Sequence, residues 1–359
     1  MLGGVMKRVL AVNPGATSTK FAVFDSEEVL LKRNVEHQGT ELQGFTRVFD
    51  QYKYRLDLIL EALAEAGIEL STLGAVVGRG GLLKPIAGGT YAVNELMLSN
   101  LRTAERGEHA SNLGAVIADR LAKPLGIPAF IVDPVAVDEL DSVARISGSP
   151  DIVRGSMCHA LNMKAVARKV AIEIGKSYIE AKLVVAHLGT GISLSVHRDG
   201  RMVDISDGKE EGPFAPDRCG GLPASQLLKL CFSGKYTYEE LKKRLFGSGG
   251  FYAYLGTKDI RTVEKMVTEG DKKAELILKA MIYQIAKDIG ALATVVNGDV
   301  DRIILTGGIA YSERVVKGIT EKTKFIAPVV VVPGEEELES LAAGALRVLR
   351  GEEDAKIYQ

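Results

Sequence analysis

Residues 9–24 read Val9-Leu10-Ala11-Val12-Asn13-Pro14-Gly15-Ala16-Thr17-Ser18-Thr19-Lys20-Phe21-Ala22-Val23-Phe24. An apolar run from Val9 to Val12 stops at Asn13-Pro14-Gly15 and a second opens at Phe21, so the stretch predicts strand, turn, strand. The turn gathers Asn13, Gly15, Thr17, Ser18 and Lys20, which supply permissive backbone, hydroxyl groups and one fixed positive charge. A polyphosphate needs those groups. No Gly-Lys-Ser/Thr closes the loop and a strand follows it, so this is no Walker loop, and a phosphate bound here rests on a β-turn. Taken alone, the stretch also fits an ordinary hairpin with a polar loop.

The same design recurs further along. Residues 183–197, Leu-Val-Val-Ala-His-Leu-Gly-Thr-Gly-Ile-Ser-Leu-Ser-Val-His, again read strand, Gly/Thr turn, strand. Residues 302–313, Arg-Ile-Ile-Leu-Thr-Gly-Gly-Ile-Ala-Tyr-Ser-Glu, run from a strand through a glycine pair into a helix, a turn that lets a ligand lie on bare backbone. Two hairpins of one design predict two halves built on one plan and facing a shared cleft. Val/Ile-rich runs at 9–12, 21–24, 75–77, 129–132, 183–186, 192–196, 303–306 and 329–332 alternate with helical patterns, the clearest at 272–296, which predicts α/β layers.

Composition narrows the function class. At 359 residues the chain exceeds the ~250–300 at which a single core stops growing, so two domains are expected. Forty-five basic against 46 acidic residues leave a net charge of −1, which argues against nucleic acid or an acidic membrane surface as partner. The three cysteines are odd in number and lack metal spacing, which suits a reducing compartment. No run approaches the roughly 18 apolar residues of a membrane helix, and the N-terminal run is too short for a signal peptide, so a cytoplasmic protein is expected. Met6, followed by Lys7-Arg8, offers an alternative start.

The order of two phosphate hairpins followed by a glycine pair resembles the acetate and sugar kinase, heat-shock chaperone and actin superfamily. Further segments are similar to the acetokinase family in particular. They are Asn-x-Gly-x-x-Ser-x-Lys at 13–20, Gly-Arg-Gly-Gly at 78–81, His109, Val-Asp-Pro at 132–134, His-Ala-Leu-Asn at 159–162, His-Leu-Gly-Thr-Gly at 187–191, Asp-Arg-Cys-Gly at 217–220, Thr-Gly-Gly-Ile at 306–309 and Pro-Gly-Glu-Glu-Glu-Leu at 333–338. Gly-Arg-Gly-Gly and His-Ala-Leu-Asn look most like the butyrate-phosphorylating members. The resemblance implies an α/β protein of two ribonuclease-H-like domains, a duplicated actin-like ATPase fold with an interdomain cleft. It places residues 1–150 in the first domain, joined by a returning helix at about 336–350, and residues 151–335 in the second. The implied activity is ATP-dependent phosphorylation of a short-chain carboxylate, butyrate to butyryl phosphate, with acetate, propionate or isobutyrate as alternative acids and a non-catalytic nucleotide switch as a different class. Family members assemble at least as dimers, so a homo-oligomer is expected.

Joining two anions requires charge neutralisation, and arginine forks suit both carboxylate and phosphate. The resemblance implies catalytic roles for Arg79 and Arg218, and for Asp133, which follows an apolar run and precedes Pro134. It gives His159 a hydrogen bond or charge toward the transferring phosphoryl. Arg79, Gly80, Gly81 and His109 are the candidate substrate residues. Gly80-Gly81 stand where acetate kinases tend to carry two valines, which would leave room for a longer acyl tail beside Leu82 and Leu83, unless the pair serves only a tight turn. Asn13, Gly15, Thr17, Ser18, Lys20, His187, Gly189, Thr190 and Gly191 are candidates for ATP/ADP phosphates, Gly307, Gly308 and Ile309 for adenosine, and Asn13 and Glu336 for Mg²⁺. His187 also reads as a structural residue. Ala16 and Thr190 depart from the serine and asparagine common in the family. A zinc site on His109, His159 and His187 is disfavoured because their spacing matches no ligand motif. A Cys158-His159 nucleophile pair is disfavoured because adjacent side chains rarely face one substrate.

Overall fold

The computed structural model of the protein describes residues 8–207 and 209–359, so the alternative start at Met6 lies outside the described residues. The strands are β1 (Arg8–Pro14), β2 (Ser18–Asp25), β3 (Glu28–Glu36), β4 (Ala75–Arg79), β5 (Thr90–Ala92), β6 (Ala129–Val132), β7 (Leu183–Leu188), β8 (Ile192–Arg198), β9 (Arg201–Asp207), β10 (Arg302–Gly307), β11 (Val329–Pro333) and β12 (Lys356–Ile357). One sheet has the order β12-β5-β6-β4-β1-β2-β3 and the other β11-β10-β7-β8-β9. In each, three antiparallel strands joined by hairpins are followed by two strands parallel to the first: β1, β2, β3, then β4 and β6; β7, β8, β9, then β10 and β11. The ribonuclease-H-like plan occurs twice, and the chain is an α/β protein of two such domains.

The first unit comprises residues 1–138 and 336–359, the second residues 139–335. The change of unit thus falls before Glu139 rather than near residue 150, for a physical reason. Glu139 is buried against Lys164, with Nζ 2.7 Å from Oε2, and the amide of Asp141 donates to the carbonyl of Val203 on β9. Those contacts commit the chain to the second sheet.

Strands β1 and β7 are apolar and buried almost throughout, as central strands covered on both faces must be. In the first unit the helix Leu113–Ala122 lies on β4, and the returning helix Glu337–Leu349 lies on β1, β4 and β6. The helix Tyr52–Glu65 buries Arg55, Ile59 and Leu63 at four-residue steps. In the second unit the helix Lys272–Thr294 presents Leu278, Met281, Ile282, Ile285 and Ile289 to the core formed with β7, β8 and β10. No helix among the described residues is long and apolar enough to cross a membrane.

Candidate active site

In the first unit the turn after β1 closes through the Gly15 amide, which donates to the carbonyl of Ser18 at 2.7 Å. Ala16, Thr17 and Lys20 are exposed around it. Asn13, 3 % exposed, lies near the end of buried β1. Its Oδ1 accepts from Arg79 Nη1 at 3.3 Å and its Nδ2 donates to Glu337 Oε2, while Arg79 Nη1 also pairs with Glu337 Oε1 at 2.7 Å. Asn13, Arg79 and Glu337 therefore form one triangle at the ends of β1 and β4. Backbone packing explains the glycines that frame Arg79. A Cβ on Gly78 would lie 2.0 Å from the carbonyl oxygen of Gly114, one on Gly80 2.4 Å from Pro134 Cβ, and one on Gly81 2.6 Å from Asn112 Cα. The Asp133 carboxylate at the end of β6 accepts from the Gly89 amide at 2.7 Å, and its φ of 36° lies in the left-handed region that aspartate tolerates better than most residues. His109 Nδ1 accepts from the Ser111 amide at 3.2 Å. Partial burial of its ring, then the Arg79 charge, hold its pKa below the ordinary histidine value, although the residue as a whole stays exposed.

In the second unit His159 precedes the helix Ala160–Glu173, its Nδ1 lies 3.2 Å from Ser193 Oγ, and its ring stacks on His187 with centroids 3.9 Å apart. His187 is fully buried. The Asn162 Oδ1 meets His187 Nδ1 at 2.8 Å and accepts from Thr306 Oγ1 at 3.2 Å. An amide oxygen can only accept, so the His187 hydrogen sits on Nδ1. Its Nε2 lies 3.0 Å from Glu335 Oε1 without the angle of a hydrogen bond. The ring supports the second turn from beneath, since a Cβ on Gly189 would lie 3.2 Å from Nε2. Thr190 is exposed at the tip. Gly191 admits Arg218: a Cβ there would meet Nη1 at 2.5 Å and Cζ at 2.6 Å, so the absent side chain is what lets the guanidinium reach the turn.

At the third segment Gly307 has φ 87° and a Cβ would strike the Leu188 carbonyl at 2.5 Å, whereas Gly308 is exposed with open space at its Cβ position. Gly308 thus offers bare backbone. Ile309 differs from expectation: its side chain is 5 % exposed in the second core, which leaves only its backbone for a ligand.

Two hairpin turns, one beside Asn13 and Arg79 and the other reached by Arg218, and an open glycine after a parallel strand are the observed parts. The matched family model is described as the acetokinase family and covers residues 150–330. Butyrate kinase 1 from Clostridium acetobutylicum is 53 % identical over 355 residues, 99 % of this chain and all of that protein. The chain belongs to the acetokinase family. Solved structures agree on the fold. Acetate kinase from Porphyromonas gingivalis superposes with TM-score 0.79 at 18 % identity, over 96 % of this chain and 99 % of that one. A propionate kinase from Francisella tularensis gives TM-score 0.72 at 18 % identity, over 93 % and 98 %.

Several placements differ from the sequence expectation. Glu337, rather than Glu336, faces Asn13 and Arg79; Glu336 is exposed, and its carbonyl accepts from Ser340 at the start of the helix. The space two valines would fill at 80–81 is already taken by Pro134 and Asn112, so the glycine pair serves close packing, and Leu83 lies in the first unit's core instead of lining a pocket. Burial pushes the Cys158 thiol up to about 12, which makes it a poor nucleophile. Among the described residues no three His, Cys, Asp or Glu side chains cluster as a metal cage. Sequence reasoning missed Asp207 at the end of β9. It is 5 % exposed, and burial raises its pKa to about 6 against the opposing pull of the Lys209 amide and the Arg218 charge. Its signal was an acid closing an alternating strand.

Proposed function

We propose that the protein phosphorylates a short-chain carboxylate with ATP, butyrate + ATP ⇌ butyryl phosphate + ADP, by direct in-line transfer. The observation that carries this reading is Arg79, a fork for anions held 3.3 Å from Asn13 on the first phosphate hairpin. Likeness to butyrate kinase 1 over the whole chain supports butyrate as the acid, with acetate, propionate and isobutyrate as the same-class alternatives. A nucleotide-driven switch of this fold has no use for an anion fork at that place.

The substrate carboxylate arrives ionised, so no general base is required and the work is charge neutralisation and positioning. In this reading Arg79 binds oxygens of the acid and Arg218 those of the transferring phosphoryl, while His159 donates a hydrogen bond to the same group. His109 and Asp133 complete the acid's surroundings, with Asp133 fixed by the Gly89 amide. Gly15, Thr17, Ser18 and Lys20 face phosphate in the first unit. Gly189, Thr190 and Gly191, supported by His187, hold the outer phosphates, and the backbone at Gly307, Gly308 and Ile309 meets the adenosine. Asn13 with Glu336 or Glu337 makes an oxygen set of the kind Mg²⁺ accepts, and the ion when bound supplies further neutralisation at the phosphates. The partners are a small carboxylic acid and an acyl phosphate, and the compartment is the cytoplasm, which suits three unpaired cysteines. A homo-oligomer, at least a dimer, completes the proposal. An acyl-hydroxamate assay with ATP and C2 to C5 acids tests it: highest kcat/KM with a C4 acid is expected, and no product with any acid overturns the kinase reading.

A further inference from the structure

Behind the first phosphate turn lies a buried cation. Arg55, on the helix Tyr52–Glu65, is 0 % exposed. Its Nη1 donates to the carbonyls of Gly15 at 2.9 Å and Ser18 at 3.0 Å and to Thr19 Oγ1 at 2.9 Å. Its Nε and Nη2 both reach Gln51 Oε1, at 3.3 and 2.9 Å. All these acceptors are neutral, and among the described residues no carboxylate pairs with the guanidinium. Burial, then the Arg55 charge, hold the His37 pKa below the ordinary histidine value, and burial raises that of the Tyr54 hydroxyl. Thr19 Oγ1, which accepts from Arg55, also lies 2.8 Å from His37 Nε2, and His37 Nδ1 faces the Tyr54 hydroxyl at 3.3 Å. The Glu41 carboxylate opposes the lowering at His37 and adds to the raising at Tyr54.

A buried charge solvated only by neutral dipoles is costly, and that cost falls when an anion arrives nearby. The turn directs such an anion. With the Gly15 carbonyl drawn onto the guanidinium, the opposed N–H of the same trans peptide, on Ala16, points to the other, exposed side. We propose that Arg55 is a positioning residue for phosphoryl transfer, which holds the Gly15–Ser18 turn from behind and gives it a fixed positive charge for the transferring phosphate. This rests on the carboxylate kinase reading. Lys20, the cation visible in the loop itself, is exposed and screened, whereas Arg55 acts through a dry interior where its field is stronger.

Gln51→Glu separates charge from shape. It keeps the acceptor geometry at Arg55, adds a compensating carboxylate, and is expected to leave Tm unchanged or higher while lowering kcat/KM for acyl phosphate formation about tenfold or more. A purely structural role predicts wild-type kinetics in that variant, and that result overturns the proposal. Arg55→Lys and Arg55→Gln give the second arm. The charged lysine is expected to retain at least about tenfold more activity than glutamine, and equal losses in folded variants overturn the assignment. Wild-type enzyme inactive with every acid would sink the kinase reading itself, an outcome distinct from active wild type with an indifferent Gln51→Glu.

Discussion

Arg79 and Arg218 reach their turns because glycines stand beside them. Gly78, Gly80 and Gly81 let the end of β4 pack tightly against Gly114, Pro134 and Asn112 respectively, and Gly191 leaves space that the Arg218 guanidinium fills. Either arginine changed to alanine is expected to lower kcat by roughly 10²–10⁴ with lysine rescuing poorly, since a point charge does not replace a planar fork. Steady-state kinetics on folded variants check this, and near-normal kcat removes the arginine from the reaction. Asp207 makes a prediction of stability with pH. Its folded pKa of about 6 is raised above the unfolded 3.8, so its favourable contribution is complete below the unfolded value and lost as pH rises through about 6. Asp207→Asn should therefore stabilise the protein at pH 8 by up to about 3 kcal/mol, from roughly two units at ~1.4 kcal/mol each, and the gain should vanish toward pH 4. Urea unfolding at several pH values measures it. A gain independent of pH would show that the charge is not the cause. At this scale the sequence singled out Arg79, Arg218 and His159 through motif order, and the structure sets Arg79 beside Asn13, Arg218 beside Gly191 and His159 against His187; nothing in the sequence marked Glu337 rather than Glu336 as facing Asn13. Which of adjacent glutamates turns inward depends on where the helix Glu337–Leu349 begins.

Buried strands announce themselves as apolar runs, which is why β1, β2, β4, β6, β7 and β10 were legible; β8 showed by its alternation, and the edge strand β11 by a valine run although no residue of it is buried. Strand β3 was not legible, because its burial pattern leaves Leu31 as its one buried residue on an edge rich in charge. Short β5 and β12 carry too few residues for a period to appear. Arg55 had a readable signal, a charged residue in register with Ile59 and Leu63 on an otherwise apolar helix stripe. The glycine-rich end of β4 was read partly as room for an acyl tail, whereas the absent side chains are replaced by protein atoms. Gly81→Ala places a Cβ 2.3 Å from Asn112 Oδ1 and 2.6 Å from its Cα, so a loss of about 1–3 kcal/mol is expected from overpacking. Chemical denaturation reads the loss. The ratio of butyrate to acetate kcat/KM should stay unchanged in whatever folds, and a shifted ratio without destabilisation would return the pair to the acyl pocket.

The whole chain is a continuous second unit set inside a discontinuous first one, and this order predicts how it can be cut. Residues 139–335 contain a complete five-stranded sheet and a large core around β7, β8, β10 and the helix Lys272–Thr294. Their buried ion pair, Lys164 with Glu139, is internal, so the excised segment keeps both partners. The first unit is different. Its N-terminal part lacks the helix Glu337–Leu349, whose Leu338, Leu341, Ala342, Ala345 and Leu346 are buried, with Gly344 packed so closely on β6 that a Cβ would lie 2.5 Å from Val132 Cγ2. It also lacks Tyr358, 2 % exposed, whose hydroxyl accepts from Asn100 Nδ2 at 2.9 Å. Losing these side chains uncovers one face of the sheet, at roughly 1.5–3 kcal/mol for each large apolar residue, which together match or exceed the ~5–15 kcal/mol by which domains are stable. The segment 139–335 alone is therefore expected to unfold cooperatively and to bind ADP through Gly189–Gly191 and Gly308. Residues 1–138 alone are expected to lack a cooperative transition, and to regain one when 336–359 are fused through a short linker. Calorimetry on the three polypeptides decides the matter. Cooperative unfolding of 1–138 without its C-terminal helix would mean that the returning segment decorates a finished domain rather than completing it.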